Sequence, residues 1–228
     1  MKTIGIIGGM GPMATVDLMK KIIISTPAHK DQEHIPMLVD NNCLIPDRTK
    51  AIQGLGPSPV PELVKTAKRL VAGGADFLII ACNTAHYFLP DILPHINIPV
   101  ISIIDSAVAS IKAKGYKSVG LLATSGTIST GLYQKTLEEN GIQCISPSAD
   151  TQHIVDDMIY DGVKANNLNY DTSSIKKLLN NMRDQGAEAF ILGCTEVPVA
   201  VAMYALEGIF IDSTDELAKA AVKYAQAE

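Results

Sequence analysis

Apolar residues in this chain fall in short, nearly continuous runs, separated by longer stretches in which they recur every three or four positions. A run such as Ile4-Gly5-Ile6-Ile7 has no polar member to turn toward water, the pattern of a strand buried on both faces in a parallel sheet. Runs of this kind lie at 3–7, 37–39, 77–81 and 100–104, with helical spacing from about position 14 and across 62–71. The second half reads the same way, with strands at 118–123, 142–145, 189–192 and 209–211 and helices across 132–140, 150–162 and 173–185. Strand and helix alternate throughout, so βαβ units and parallel sheets covered by helices are expected, which is an α/β fold.

The two halves also match each other. Gly-Ala-Asp-Phe-Leu-Ile-Ile-Ala-Cys-Asn-Thr (74–84) lies without a gap on Gly-Ala-Glu-Ala-Phe-Ile-Leu-Gly-Cys-Thr-Glu (186–196), 112 residues further on. Thr-Ile-Gly-Ile-Ile (3–7) matches Ser-Val-Gly-Leu-Leu (118–122) at an offset of 115, and Asp105-Ser106 matches Asp212-Ser213 at 107, each pair after an apolar strand. Any two buried parallel strands look alike, so the apolar letters alone say little. The cysteine shared at the same strand end says more. Three matches in one order predict a duplicated unit that folds as two similar lobes. The first covers 1–104 and is completed by a C-terminal helix over 212–228; the second covers 105–211.

A chain of 228 residues can bury about 70 % of its unfolded surface in one large or two small domains. With 47 % hydrophobic and 19 % charged residues, nothing in it resembles the run of about 20 apolar residues that spans a membrane. The first apolar run is too short for a secretory segment and turns at once into Gly8-Gly9, so a soluble, cytoplasmic protein is expected. Lys and Arg number 19 against 24 Asp and Glu, a net charge of −5, which offers no basic surface to nucleic acid or to a membrane. An anionic substrate would have to be met by individually placed cations.

Four cysteines, Cys43, Cys82, Cys144 and Cys194, are widely spaced and form no C-x-x-C pair, so structural disulfides are not expected. Each is either a small buried hydrophobe or a reactive thiol. Cys82 and Cys194 both stand directly after a buried strand and before a polar turn, Asn83-Thr84-Ala85-His86 in one case and Thr195-Glu196 in the other. That is the carboxyl end of a strand, where open α/β sheets bind ligands. The first turn is able to cap a helix, and free N–H groups at a helix start favour a thiolate. Glu196 reads either as a second base or as a carboxylate at a helix start, and His86 as a capping or packing histidine. Cys43 and Cys144 lack the polar flanks and are read as structural.

Other chemistries have some claim on these residues. Gly9-Met10-Gly11-Pro12-Met13-Ala14 fits G-x-G-x-x-A after a strand, and Asp40 ends the next one, as in a nicotinamide-dependent oxidoreductase. Redox chemistry, however, gives no reason for two equivalent cysteines. A non-catalytic binder of small anions would suit two similar lobes but would not need thiols. A zinc site from Cys82, His86 and Cys194 lacks a fourth ligand, so no metal is expected.

Ala-Cys-Asn-Thr-Ala-His (81–86) and Gly-Cys-Thr-Glu (193–196) resemble the two signature motifs of the aspartate/glutamate racemase superfamily. Gly8-Gly9-Met10-Gly11-Pro12 resembles the opening of its aspartate racemase branch, whereas glutamate racemases open with Asp-Ser-Gly and carry His where this chain has Glu196. The resemblance covers the whole chain. It implies two α/β lobes related by a pseudo-two-fold axis with the active site between them, and a homodimer. The implied reaction is racemisation of an acidic amino acid, L-aspartate to D-aspartate first, with no pyridoxal phosphate, metal or other cofactor. Glutamate or broad-specificity racemisation is the alternative within the superfamily. Cys82 and Cys194 are implied as the catalytic pair. Met10, Asp47, Arg48, Thr49, Asn83, Thr84, Ala85, Lys164, Thr195 and Glu196 are implied as substrate-binding positions. The pattern departs near Lys164, where Asn166 follows in place of a glycine common in relatives.

The chemistry accounts for the layout. Inverting an α-carbon needs one group to take the proton from one face and another to return a proton to the opposite face, which a thiolate and a thiol can do in either direction. The carbanion beside the carboxylate needs oriented donors, for which Asn83, Thr84, Thr195 and backbone N–H groups are candidates. Arg48 alone, in Pro-Asp-Arg-Thr, would suit a surface turn. A dicarboxylate substrate gives its bidentate fork a purpose.

Overall fold

A strand without polar residues is stable only where both faces are covered, and the chain meets that condition twice. In the computed structural model, which describes residues 1–227, the first half runs β1 (Ile4–Gly8), α1 (Pro12–Ser25), β2 (Met37–Asn41), α2 (Arg48–Ile52), α3 (Val60–Ala72), β3 (Phe77–Ile80), α4 (Leu89–Ile92), β4 (Val100–Ile101) and α5 (Ile103–Lys114). Its strands form one parallel sheet in the order β2-β1-β3-β4. The second half runs β5 (Ser118–Leu122), α6 (Ser125–Thr130), α7 (Leu132–Glu139), β6 (Gln143–Ile145), α8 (Gln152–Asp157), α9 (Ser173–Asp184), β7 (Ala189–Leu192), α10 (Val197–Met203), β8 (Phe210–Asp212) and α11 (Ser213–Gln226). Its sheet is also parallel, in the order β6-β5-β7-β8. The chain divides into two compact units, residues 1–106 with the chain from Thr214 onward, and Ala107–Ser213. Two helix-flanked parallel sheets of one strand order are the duplicated α/β unit that the internal match predicts.

The match extends to details invisible as motifs. Asp76, just before β3, accepts the N–H of Thr3 at 2.6 Å, and its counterpart Glu188, before β7, accepts those of Lys117 and Ser118 at 2.6 and 3.1 Å. In each unit a carboxylate on one central strand satisfies backbone donors at the start of the other. These bonds hold the Glu188 carboxyl below its ordinary value. The helices ahead of these strands end alike, at Gly74 (φ +97°) and Gly186 (φ +103°), in a left-handed conformation that costs glycine nothing.

Each unit has its own core. In the first, Ile7, Leu63, Leu70, Leu78, Ile80 and Phe88 pack together; in the second, Leu122, Met158, Leu178, Phe190, Leu192 and Val197 do so. Full burial of such a side chain contributes about 1.5–3 kcal/mol. The C-terminal helix α11 belongs with the first sheet: Tyr224 stacks edge-on against Phe77 with ring centroids 4.8 Å apart, and the N–H of Lys2 donates to the carbonyl of Ala225 at 3.0 Å. No described helix is long and apolar enough to cross a membrane.

Most boundaries fall within two residues of expectation, and two elements depart further. The strand predicted over 100–104 ends at Ile101, because Ser102 accepts the N–H of Asp105 on its hydroxyl at 3.1 Å and so starts α5. The helix predicted over 150–162 is α8 followed by a π-helical segment, Met158–Lys164.

Candidate active site

Cys82 follows β3 by two residues and is 6 % exposed, within the core group that includes Ile7 and Ile80. Beyond it a 3₁₀ turn, Thr84–Phe88, carries His86. The His86 ring is buried, with Nδ1 2.9 Å from the carbonyl oxygen of Cys82 and Nε2 accepting the N–H of Ile103 at 3.1 Å. A backbone N–H can only donate, so Nε2 holds the lone pair and Nδ1–H donates to Cys82. Burial pushes this ring down from 6.5 to about 4, so it stays neutral near pH 7. Both nitrogens are engaged, which leaves neither to a metal. Among the described residues no group of three or more His, Cys, Asp or Glu is arranged to hold one. His86 is thus a packing histidine with two specific bonds. Asn83, which precedes the 3₁₀ turn, has helical dihedrals (φ −64°, ψ −51°), and its side chain does not cap that turn.

Cys194 occupies the equivalent place after β7 and is also buried, at 7 % exposure. Its thiol donates to Glu196 Oε2 at 3.0 Å, and the hydroxyl of Thr195 donates to the same oxygen at 3.1 Å. The other oxygen, Oε1, lies 3.8 Å from Lys164 Nζ. Lys164 in turn sits 4.5 Å over the ring of Tyr160, one helical turn earlier. The expectation of a thiolate stabilised by the following helix does not hold for Cys194. Burial first, and then the negative charge of Glu196, push its thiol well above the ordinary value, outweighing the opposing pull of Lys164. Glu196 stands at the start of α10 without capping it, so its carboxylate serves the thiol and the lysine rather than the helix.

Lys164 ends the π-helical segment, a wide turn that recurs at functional sites. Asn166, where a glycine was the more usual residue, has φ +52°, a left-handed conformation that asparagine tolerates better than other side chains. Asparagine thus meets the left-handed backbone that this turn requires. Tyr204 secures it by donating its hydroxyl to the carbonyl of Asn167 at 2.9 Å while lying over Gly162, where a Cβ would come within 2.8 Å of that hydroxyl.

The remaining candidates are placed as follows. Arg48 is the first residue of α2 and half-buried; its Nη1 donates to the carbonyls of Ile45 and Pro46 at 3.3 and 2.9 Å, so it is not a freely solvated arginine. Asp47 caps α2 by accepting the N–H of Lys50 at 2.8 Å, and Thr49 is half-buried in the first turn. Met10 and Ala85 are buried in the same core group as Cys82. Asn83, Thr84 and Thr195 are buried polar residues. Gly9 (φ +91°) would place a Cβ 2.3 Å from the carbonyl carbon of Asn42, so the glycine loop after β1 answers to the loop after β2. Asp40, the acidic residue of the dinucleotide-binding reading, is engaged by Arg69 Nε at 2.6 Å. Cys43 is exposed, and Cys144, on edge strand β6, is half-buried. Tyr160 and Tyr204 were not legible as site residues, although Tyr160 and Lys164 stand at the i, i+4 spacing that brings side chains together on a helix.

Residues 7–221 match the family described as Asp/Glu/Hydantoin racemase. The chain is similar to the broad specificity amino-acid racemase RacX of Bacillus subtilis (strain 168), with 29 % identity over 226 residues and 96 % of each chain covered. Among solved structures it is similar to the Picrophilus torridus aspartate racemase, at 35 % identity and a TM-score of 0.87 over 99 % of this chain and 94 % of that one. It is also similar to an aspartate racemase homologue from Pyrococcus horikoshii OT3, at 29 % identity and a TM-score of 0.80 with both chains fully covered. The match spans both cysteine motifs and both sheets, and the chain belongs to the Asp/Glu/Hydantoin racemase family.

Proposed function

We propose that this racemase inverts the α-carbon of an acidic amino acid, aspartate first, with Cys82 and Cys194 serving opposite faces and without pyridoxal phosphate. The observation that carries the reading is the duplication: each unit sets one buried cysteine at the same place after its third strand. No single-base reaction asks for that. In one direction Cys82 as thiolate takes the α-proton, so the C–H bond breaks and an S–H bond forms. The thiol of Cys194 then gives its proton to the other face. In the reverse direction the roles exchange: Cys82 enters as the thiol, having taken a proton from solvent, and Cys194 enters as the thiolate, its proton having passed to Glu196 Oε2, 3.0 Å away. The Glu196 charge thus favours the Cys194 thiol in one direction, and the same oxygen serves as its proton acceptor in the other.

Arg48 and Lys164 are the cations proposed for the two substrate carboxylates. Lys164 already has a carboxylate partner in Glu196, so it is set for negative charge. Aspartate as the preferred substrate is supported by the likeness to the Picrophilus torridus aspartate racemase. The likeness to the broad specificity racemase RacX supports a wider range as the second reading. A homodimer is part of this proposal, with the outer face of α1 as a suitable surface: Met13 and Ile24 are 74 % and 70 % exposed there, and Val16 and Ile23 join them.

Polarimetry with aspartate, glutamate and a neutral amino acid, without added cofactor, tests the reading. Loss of optical rotation should be fastest with aspartate, and the extra methylene of glutamate should cost about 1–3 kcal/mol in kcat/KM. Activity that appears only with added pyridoxal phosphate, or that a chelator abolishes, would overturn the cofactor-free mechanism.

A further inference from the structure

The two cysteine turns hold the carbonyls of their cysteines differently. The carbonyl of Cys194 is held within its own turn, accepting the N–H of Val197 at 3.0 Å. The carbonyl of Cys82 is held instead by a side chain, Nδ1–H of His86 at 2.9 Å, and the far side of that ring accepts the N–H of Ile103, the first residue of α5. The residue equivalent to His86, four positions beyond Cys194, is Pro198, which has no polar side chain.

The imidazole therefore ties the Cys82 peptide to a backbone donor that lies 17 residues beyond His86 in sequence. On one side is the peptide that carries the Cys82 side chain. On the other is a backbone donor at a helix start, one of the four N–H groups that a helix leaves without an internal partner. Both bonds need the neutral ring in one tautomer, since a proton on Nε2 would displace the Ile103 N–H and the other tautomer would offer neither bond correctly. The ring is buried, so water cannot readily substitute for it. Rotation of the Cys82 peptide swings its Cα–Cβ bond, and with it the sulfur. The carbonyl of Cys194, by contrast, is held by a backbone donor of its own turn.

From this geometry we propose that His86 is a positioning residue for the Cys82 half of the reaction alone, fixing the direction of that thiol by tying its peptide to the start of α5. The proposal rests on the two-thiol reading of the previous section. His86 does not exchange a proton with substrate; it holds the residue that does.

The test separates the two halves. In deuterated water, Cys194→Ser leaves Cys82 to exchange the α-hydrogen of the enantiomer it faces, and Cys82→Ser leaves Cys194 to exchange that of the other. Adding His86→Ala to Cys194→Ser should slow exchange by about 10²-fold, the scale on which a misplaced reacting group loses rate. Adding it to Cys82→Ser should leave exchange within about 2-fold, well inside that scale. His86→Asn, whose amide can still donate toward Cys82, should recover part of the loss and serves where the alanine variant folds poorly. Equal losses in both backgrounds, or none in either, would overturn the role of His86 while leaving the two-thiol reading intact. Single-cysteine variants that exchange neither enantiomer would overturn both.

Discussion

Glu196 accepts the thiol hydrogen of Cys194 at 3.0 Å while its other oxygen faces Lys164 at 3.8 Å. The carboxylate opposes ionisation of the thiol and the ammonium favours it, so the two variants must move it in opposite directions. Glu196→Gln keeps a polar group at the same place without the charge, and Cys194 should be alkylated at lower pH than in the wild type. Lys164→Met should move the same profile to higher pH. Racemisation by Glu196→Gln should fall by about 10²-fold or more, the contribution of a lost proton acceptor. Peptide-mapped alkylation of Cys194 across pH measures both shifts, and profiles that move together would show that this trio is not electrostatically coupled.

Arg48, proposed above as a substrate cation, also has a local role, because its Nη1 holds the carbonyls of Ile45 and Pro46. Arg48→Ala should lower kcat/KM for a dicarboxylate by about 2–5 kcal/mol, the cost of leaving a desolvated carboxylate unpaired. Arg48→Lys should recover little, since an ammonium cannot reproduce the planar fork. Steady-state kinetics with aspartate check this, and unchanged constants for Arg48→Ala would return the residue to a structural role in its loop.

His86 also makes a prediction about stability. The unfolded chain takes up a proton at this ring near pH 6.5 and the folded chain only near pH 4. The folded pKa is lowered, so this contribution is complete above pH 6.5 and is lost as pH falls toward 4. At about 1.4 kcal/mol per pH unit the loss comes to about 3 kcal/mol. Urea unfolding of the wild type and of His86→Gln between pH 7 and 4.5 should show a steeper decline in the wild type. Parallel curves would mean that the ring is reached by protons without unfolding.

Much of the fold was legible in the sequence because a buried parallel strand has few alternatives. The runs over 77–81 and 189–192 became β3 and β7 almost residue for residue. The error at 100–104 arose where a strand passes into the buried first turn of a helix with no break in hydrophobicity. Ser102 three positions before Asp105 was the available signal, a capping pattern that the apolar run concealed. Within the candidate site the short-range contacts lay in reach of sequence reasoning: Glu196 stands two positions from Cys194, and Tyr160 four from Lys164. The second bond of His86, to Ile103, did not, because only the packing of β3 beside β4 brings those residues together. Nor could the sequence weigh burial against the helix start at Cys194. That balance depends on where the Glu196 carboxylate points.

The central claim is that two thiols, one for each face, carry out the inversion. Its most direct test follows the α-hydrogen in deuterated water for the wild type, Cys82→Ser and Cys194→Ser, starting from each enantiomer of aspartate. A serine hydroxyl is too weak an acid to act as the base near neutral pH, so both variants should stay folded and lose racemisation by several orders of magnitude. The wild type should place deuterium at the α-carbon of the product from either enantiomer. Each variant should exchange one enantiomer only, and the two should have opposite preferences. Racemisation at the wild-type rate by either serine variant would contradict the two-thiol mechanism.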